Sequence, residues 1–325
     1  MFRCVTLPPV VMASSWRNIV LATVLLPASL RCANGQQVSD CNNRSVAVNA
    51  LNARGNRIEG LKSSDFRATV RGQRVRISEN VGAHGIRRVV VLVDLSASTG
   101  SVSSAMRTLS GNLVATQAKK VQPAAVLFSD HIISSIDFSH SPEEVLKFLE
   151  NLPEQKGGTA LLDALKYAAS LFVQPRAGDA VYLISDGGEN ASRVGPFELK
   201  QEFLEKRIRI YWVVADSGNR YFPTEEEAHR EWLFGLANGT GGQALQLDSD
   251  GKKESGAQVA AQLQQLYGQI TDFYDLSLDM PTTRKWEGLR LELVDNAGKK
   301  RKDAQVLYPH ELAPCVATAD VTATK

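Results

Sequence analysis

The chain has 325 residues, 43% hydrophobic and 22% charged, a globular balance that excludes disorder as a description of the whole. Its 37 basic and 35 acidic side chains leave a net charge of +2, too even for a nucleic-acid footprint. No apolar run reaches the ~20 residues of a membrane-spanning helix, and no repeat supports a collagen-like, mucin-like or coiled-coil reading.

The first segment, residues 1–35, carries Arg3, Arg17 and Arg31 but no acidic residue. Its apolar stretch from Ile19 to Leu30 has the length of a secretory h-region and is short for a bilayer span. Small residues follow at Ala33 and Gly35, so the expected reading is a signal peptide cleaved after Gly35. An uncleaved anchor and a structural helix are the alternatives. The expected location is therefore secreted, periplasmic or cell-envelope, with no membrane span in the mature chain. Cleavage leaves two cysteines, Cys41 and Cys315, which in an exported chain pair most simply with each other. Two unpaired thiols in the tails are the competing reading.

Residues 36–86 alternate in short runs such as SVAVNAL, and FRATV and RVRIS flank an Arg-Gly-Gln turn. From residue 87 to 250 the pattern changes. Strand candidates are Arg88–Leu95, Ala124–Phe128, Ala180–Ser185, Arg209–Ala215 and Gln243–Leu247, several apolar without alternation, as for strands covered on both faces. Ile132–Phe138 adds an antiparallel edge. Between them, Ser141-Pro142-Glu143-Glu144 opens a helix through Leu152. Thr159–Val173, Pro196–Arg207 and Thr224–Asn238 read as further helices. This alternation predicts an α/β fold, a doubly wound mostly parallel sheet whose ligands sit on the loops at the strands' carboxyl ends. Residues 251–315 add a helix and short strands in FYDLSLDM, GLRLELVD and DAQVLYP, and 316–325 form a tail. The two flanks are expected to meet in one small antiparallel β-domain, since each alone has a very small core. Two independent appendages are the alternative.

Three separated features fall at strand ends or helix starts. Asp94-Leu95-Ser96-Ala97-Ser98 ends the first central strand, Gly157-Gly158-Thr159 opens a helix, and Asp186-Gly187-Gly188 follows AVYLIS. Two carboxylates and three hydroxyls are hard oxygen donors, suited to Mg²⁺, Mn²⁺ or Ca²⁺ and not to zinc or copper. Such a set leaves the ion undersaturated, so an external acidic group could complete its shell. Taken singly, each piece also reads as a helix cap or a turn.

In order and spacing, the set resembles the von Willebrand factor type A (VWFA) domain, over roughly Gly85 to Leu247. The resemblance implies a Rossmann-like fold and a metal-ion-dependent adhesion site. Ser96, Ser98 and Thr159 would ligate the ion through hydroxyls, and Asp94 and Asp186 directly or through water. Asp163 would orient the loop from behind. The flanking stretches are similar to those of exported bacterial VWFA-related proteins, common in Acidobacteria. The segment Ser217–Glu227 is longer than a minimal connection and could reshape the binding face.

For an enzyme the sequence offers little. His84, His131, His140, His229 and His310 have no ligand spacing, and no G-x-S-x-G, H-E-x-x-H or P-loop occurs. Asp248-Ser249-Asp250-Gly251 lacks the spacing of a calcium loop. Sequons stand at Asn43, Asn190 and Asn238. The leading expectation is a non-enzymatic module that captures an Asp or Glu of a protein partner through a divalent ion. A metal-dependent hydrolase and a structural envelope protein binding through its β-domain are the alternatives.

Overall fold

The computed structural model describes residues 41–79, 85–215, 224–246 and 256–315, all within one compact unit beginning at Val38. The expected leader, the first part of the long Ser217–Glu227 connection, the Asp248–Gly251 turn and the tail lie outside these residues.

The chain runs through β1 (Asn43–Asn52), β2 (Phe66–Val70), β3 (Gln73–Glu79), β4 (Arg87–Asp94), α1 (Ser103–Gln117), β5 (Val121–Phe128), β6 (Ile132–Ile136) and α2 (Pro142–Glu150). It continues with α3 (Leu161–Ser170), β7 (Ala180–Ser185), α4 (Pro196–Lys206), β8 (Arg209–Val214), α5 (Thr224–Gly239) and β9 (Gln243–Gln246). The last elements are α6 (Gly256–Thr271), β10 (Tyr274–Asp279), β11 (Glu287–Leu293), β12 (Ala304–Leu307) and β13 (Glu311–Leu312).

One sheet has the order β6-β5-β4-β7-β8-β9, parallel throughout except for β6. Val89, Val91 and Val93 of β4 join a core with α1, α2 and α6, while Val90 and Leu92 join another with α3, α4 and α5. Both faces are covered, which is why these strands read as unbroken apolar runs.

The second sheet is antiparallel, ordered β12-β1-β10-β3-β2-β11-β13. Segments from both ends of the chain share it, with Val46 opposite Leu276 and Ala68 opposite Leu291. Alternate residues Val46, Val48, Phe66, Ala68, Leu276 and Leu291 line its core. The β2–β3 hairpin closes through Arg71 and Gly72, at φ 53° and 76°, as a two-residue turn with both central residues left-handed requires.

Several element boundaries differ from the sequence reading by a few residues, and two have a physical reason. β5 begins at Val121 and contains Pro123. Its partner β6 pairs only from Ala125 onward, so the missing N–H of Pro123 faces no ladder on that side. α3 starts at Leu161, two residues after Thr159, because a carboxylate far along the chain, not a local cap, satisfies its first turn. The helix that opens the C-terminal segment, α6, belongs to the parallel sheet's side of the molecule. Leu263, Leu266, Tyr267 and Ile270 of α6 pack into the parallel sheet's core.

Cys41 and Cys315 form a disulfide, their α-carbons 5.5 Å apart across 274 residues of sequence. Closing so long a loop restricts the unfolded chain. Reduction is expected to lower stability by about 2–5 kcal/mol in urea unfolding, and an unmoved midpoint contradicts this. None of the described helices is long and apolar enough to cross a membrane.

Candidate metal centre

β4 delivers Asp94 to the carboxyl end of the parallel sheet, where its side chain is wholly buried. One carboxylate oxygen accepts from the Ser96 amide at 2.9 Å, and the other from Ser185 Oγ at 2.6 Å. Ser96 Oγ lies 2.9 Å from Ser98 Oγ. Two backbone bonds strap this loop to the segment before α3, from Lys156 to the Leu95 carbonyl and from Ala97 to the Gly157 carbonyl. Thr99, fully buried, donates its hydroxyl to the Ser96 carbonyl at 2.9 Å and closes the turn.

Asp186 follows the end of β7 and is 1% exposed; its Oδ1 accepts from the Gly188 amide at 2.9 Å. Gly187 holds φ at 83°, and a β-carbon there would lie 2.6 Å from the Trp212 ring. Only glycine fits this turn. A β-carbon on Gly188 would sit 3.2 Å from Asp186 Oδ1 and 3.6 Å from Thr159 Oγ1, so these two oxygens flank the same glycine. Ser98, Thr159 and Gly188 together line an open cleft of about 160 Å³ with Ala97, Gly157, Gly158 and Asn190.

The five candidate ligands, Asp94, Ser96, Ser98, Thr159 and Asp186, thus stand around one loop cluster. Asp163 lies outside it. Its Oδ1 accepts from the Arg193 and Val194 amides, at 3.1 and 3.0 Å, in the loop that follows Asp186. A stronger tie in that loop is Glu189, 6% exposed, which no motif singled out. Its carboxylate accepts from the Leu162 amide at 2.9 Å, from the Ser192 amide at 2.9 Å and from Ser192 Oγ at 2.7 Å. An acid at the N-terminus of α3 complements the helix dipole and its free N–H groups. Asp130 and His131 form an exposed pair in the β5–β6 turn.

Burial, and then the neighbouring charge of Asp186, push the Asp94 carboxyl up to about 7, against hydrogen bonds from Ser185 and Ser96 that favour its charged form. Two buried acids side by side are an unfavourable arrangement that a cation between them relieves. The donors are all oxygen, and no group of three or more His, Cys, Asp or Glu suited to a metal occurs among the described residues. The set therefore fits a hard cation that takes one or two protein carboxylates and keeps other positions for water or ligand, as Mg²⁺ does.

The family model of the von Willebrand factor type A domain matches residues 89–189. Among solved structures, the chain is similar to the conserved hypothetical protein BatB from Bacteroides thetaiotaomicron. Identity is 18% over 56% of this chain and 98% of that one, with a TM-score of 0.39. An aerotolerance-related membrane protein from Bacteroides fragilis is 16% identical over 57% of this chain and 98% of that one, TM-score 0.41. The pilus adhesin SpaC from Lactobacillus rhamnosus GG is 12% identical over 77% of this chain and 41% of that one, TM-score 0.43. No curated protein matches the sequence.

Proposed function

From a chain whose residues 89–189 carry a von Willebrand factor type A domain, we propose an exported, metal-dependent protein-binding module. In this reading Asp94, Ser96, Ser98, Thr159 and Asp186 hold a divalent ion, Mg²⁺ with Mn²⁺ or Ca²⁺ as substitutes. The ion supplies a Lewis-acidic position for an Asp or Glu of the partner. The observation that carries the reading is the pair of buried carboxylates, Asp94 and Asp186, beside an open cleft that Ser98, Thr159 and Gly188 line.

The sheet order adds support. We read the parallel sheet as doubly wound and Rossmann-like, its order reversing between β4 and β7. Ligands of such sheets bind outside the carboxyl ends of the strands at the reversal. Asp94 ends one of those two strands, and Asp186 directly follows the other. Ser96, Ser98 and Thr159 contribute neutral oxygens, which leave more of the ion's charge for a partner carboxylate than a site of four acids does. The Cys41–Cys315 disulfide accords with an oxidising compartment.

The test is retention on an array of fluorescein-labelled, glycine-rich peptides with one central Asp or Glu, beside their Asn and Gln counterparts. Retention of acidic peptides in Mg²⁺, lost in EDTA and absent from the amides, is expected. Binding indifferent to EDTA contradicts the reading.

A further inference from the structure

Asn190 stands in the cleft yet belongs to no part of the metal-holding set. Its backbone N–H donates to the Thr159 carbonyl at 3.0 Å, and its side-chain Oδ1 accepts from the Thr159 N–H at 2.8 Å. A peptide N–H can only donate, so this second bond fixes the amide's orientation, oxygen toward Thr159 and nitrogen away from it. Gly158 makes the approach feasible, since a β-carbon there would lie 2.8 Å from Asn190 Oδ1. The side chain is exposed, and among the described residues no acceptor takes its Nδ2 hydrogens. The result is an amide clamped to the same residue that offers a candidate metal ligand, with both of its N–H bonds unclaimed.

A carboxylate that gives one oxygen to a cation keeps a second oxygen, charged in part, which is costly to cover without a donor. The other cleft-lining residues outside the candidate ligand set are Ala97, Gly157, Gly158 and Gly188, which have no side-chain donor. Asn190 alone among them does. We propose that Asn190 Nδ2 donates to the second oxygen of the partner's carboxylate and so helps select an acidic side chain over other oxygen ligands. This rests on the reading of the cleft as a carboxylate-capturing metal site and names a further contact within it. No sequence motif marks the residue. It stands out in the sequence only as a sequon, while its role depends on the fixed orientation of one amide.

The test is Asn190→Asp, which keeps an oxygen acceptor for the Thr159 N–H and replaces the donor by a second, charged oxygen. Wild type and variant are loaded with Mn²⁺, whose affinity is measured first, and then titrated with the single-Asp and single-Glu peptides by fluorescence anisotropy. The variant is expected to hold Mn²⁺ no more weakly than wild type and to bind the acidic peptides about tenfold or more weakly. A variant that matches wild type in both measurements overturns this assignment and leaves the module reading standing. A wild type that holds no acidic peptide in Mn²⁺ overturns both.

Discussion

In EDTA at pH 8, Asp94→Asn is expected to be more stable than wild type, by on the order of 2–4 kcal/mol. The wild-type carboxyl is wholly buried and titrates at about 7, because burial and Asp186 both disfavour its charge. In the unfolded chain an aspartate ionises near pH 4. Between those values the folded state holds a proton that the unfolded state has released, so metal-free stability falls as pH rises from about 4 to about 7. Above that window the full cost is present, and below about pH 4 wild type and variant converge. Asparagine retains the shape, an acceptor for the Ser96 amide and a partner for Ser185 Oγ, without the charge. Adding Mg²⁺ reverses the order at a thousandfold excess over its Kd, where an ion held only by the folded state stabilises wild type by about 4.1 kcal/mol. Urea unfolding at pH 5 and pH 8, with Mg²⁺ or EDTA, reads all four values. A wild type more stable than the variant in EDTA at pH 8 contradicts the expectation.

Arg209→Leu is expected to destabilise the protein by on the order of 3–5 kcal/mol. Arg209 is 1% exposed, and the structure explains why a guanidinium is tolerated there with no carboxylate among the described residues hydrogen-bonded to it. Its two terminal nitrogens donate to the carbonyls of Gln269 and Ile270, at 3.1 and 3.0 Å, and to that of Gly178 at 3.0 Å. Gln269 and Ile270 lie in the last turn of α6, whose carbonyls have no partner within the helix and carry its negative end. The guanidinium also donates to Tyr211 Oη at 2.7 Å and stacks on the Phe273 ring at 4.2 Å. Asn49 of β1 donates to the same Tyr211 hydroxyl and the same Gln269 carbonyl, at 2.9 and 3.1 Å. This buried polar node therefore ties the antiparallel sheet to the parallel one. Leucine fills part of the volume but leaves the Gly178 and Ile270 carbonyls without that donor, while Asn49 still serves Tyr211 and Gln269. Urea unfolding followed by circular dichroism checks the loss; a change within about 1 kcal/mol means that the node is not a principal tie.

What was legible in the sequence was what short stretches of chain decide. The unbroken runs around Val89–Val93 and Ala180–Ile184 mark doubly covered strands because each residue there must be apolar whichever face it takes. The capping box at Ser141 and Glu144 is local chemistry and is found as read, with the Glu144 amide donating to Ser141 Oγ. Asp94, Ser96, Ser98, Thr159 and Asp186 stand out because strand ends and hydroxyls recur in order. The rest depends on contacts between distant parts of the chain. Glu189 takes its meaning from Leu162, 27 residues earlier, and Asn190 from Thr159, 31 residues earlier. Arg209 looks like one more strand residue until α6 supplies the carbonyls it caps. Thr99 reads as an ordinary turn residue, and its buried hydroxyl shows its use only once the loop after β4 is closed.

The most direct measurement of the central claim is the stoichiometry of Mn²⁺ binding by calorimetry, on wild type, Asp94→Asn, Asp186→Asn and Ser98→Ala. Wild type is expected to bind one ion per chain, both aspartate variants none, and Ser98→Ala one ion more weakly, through loss of a single neutral ligand. All four should give the same circular dichroism, because these residues lie at the carboxyl end of the sheet and belong to neither apolar core. A wild type that binds no Mn²⁺, or binding that survives in both aspartate variants, would contradict the claim that these residues form a metal centre.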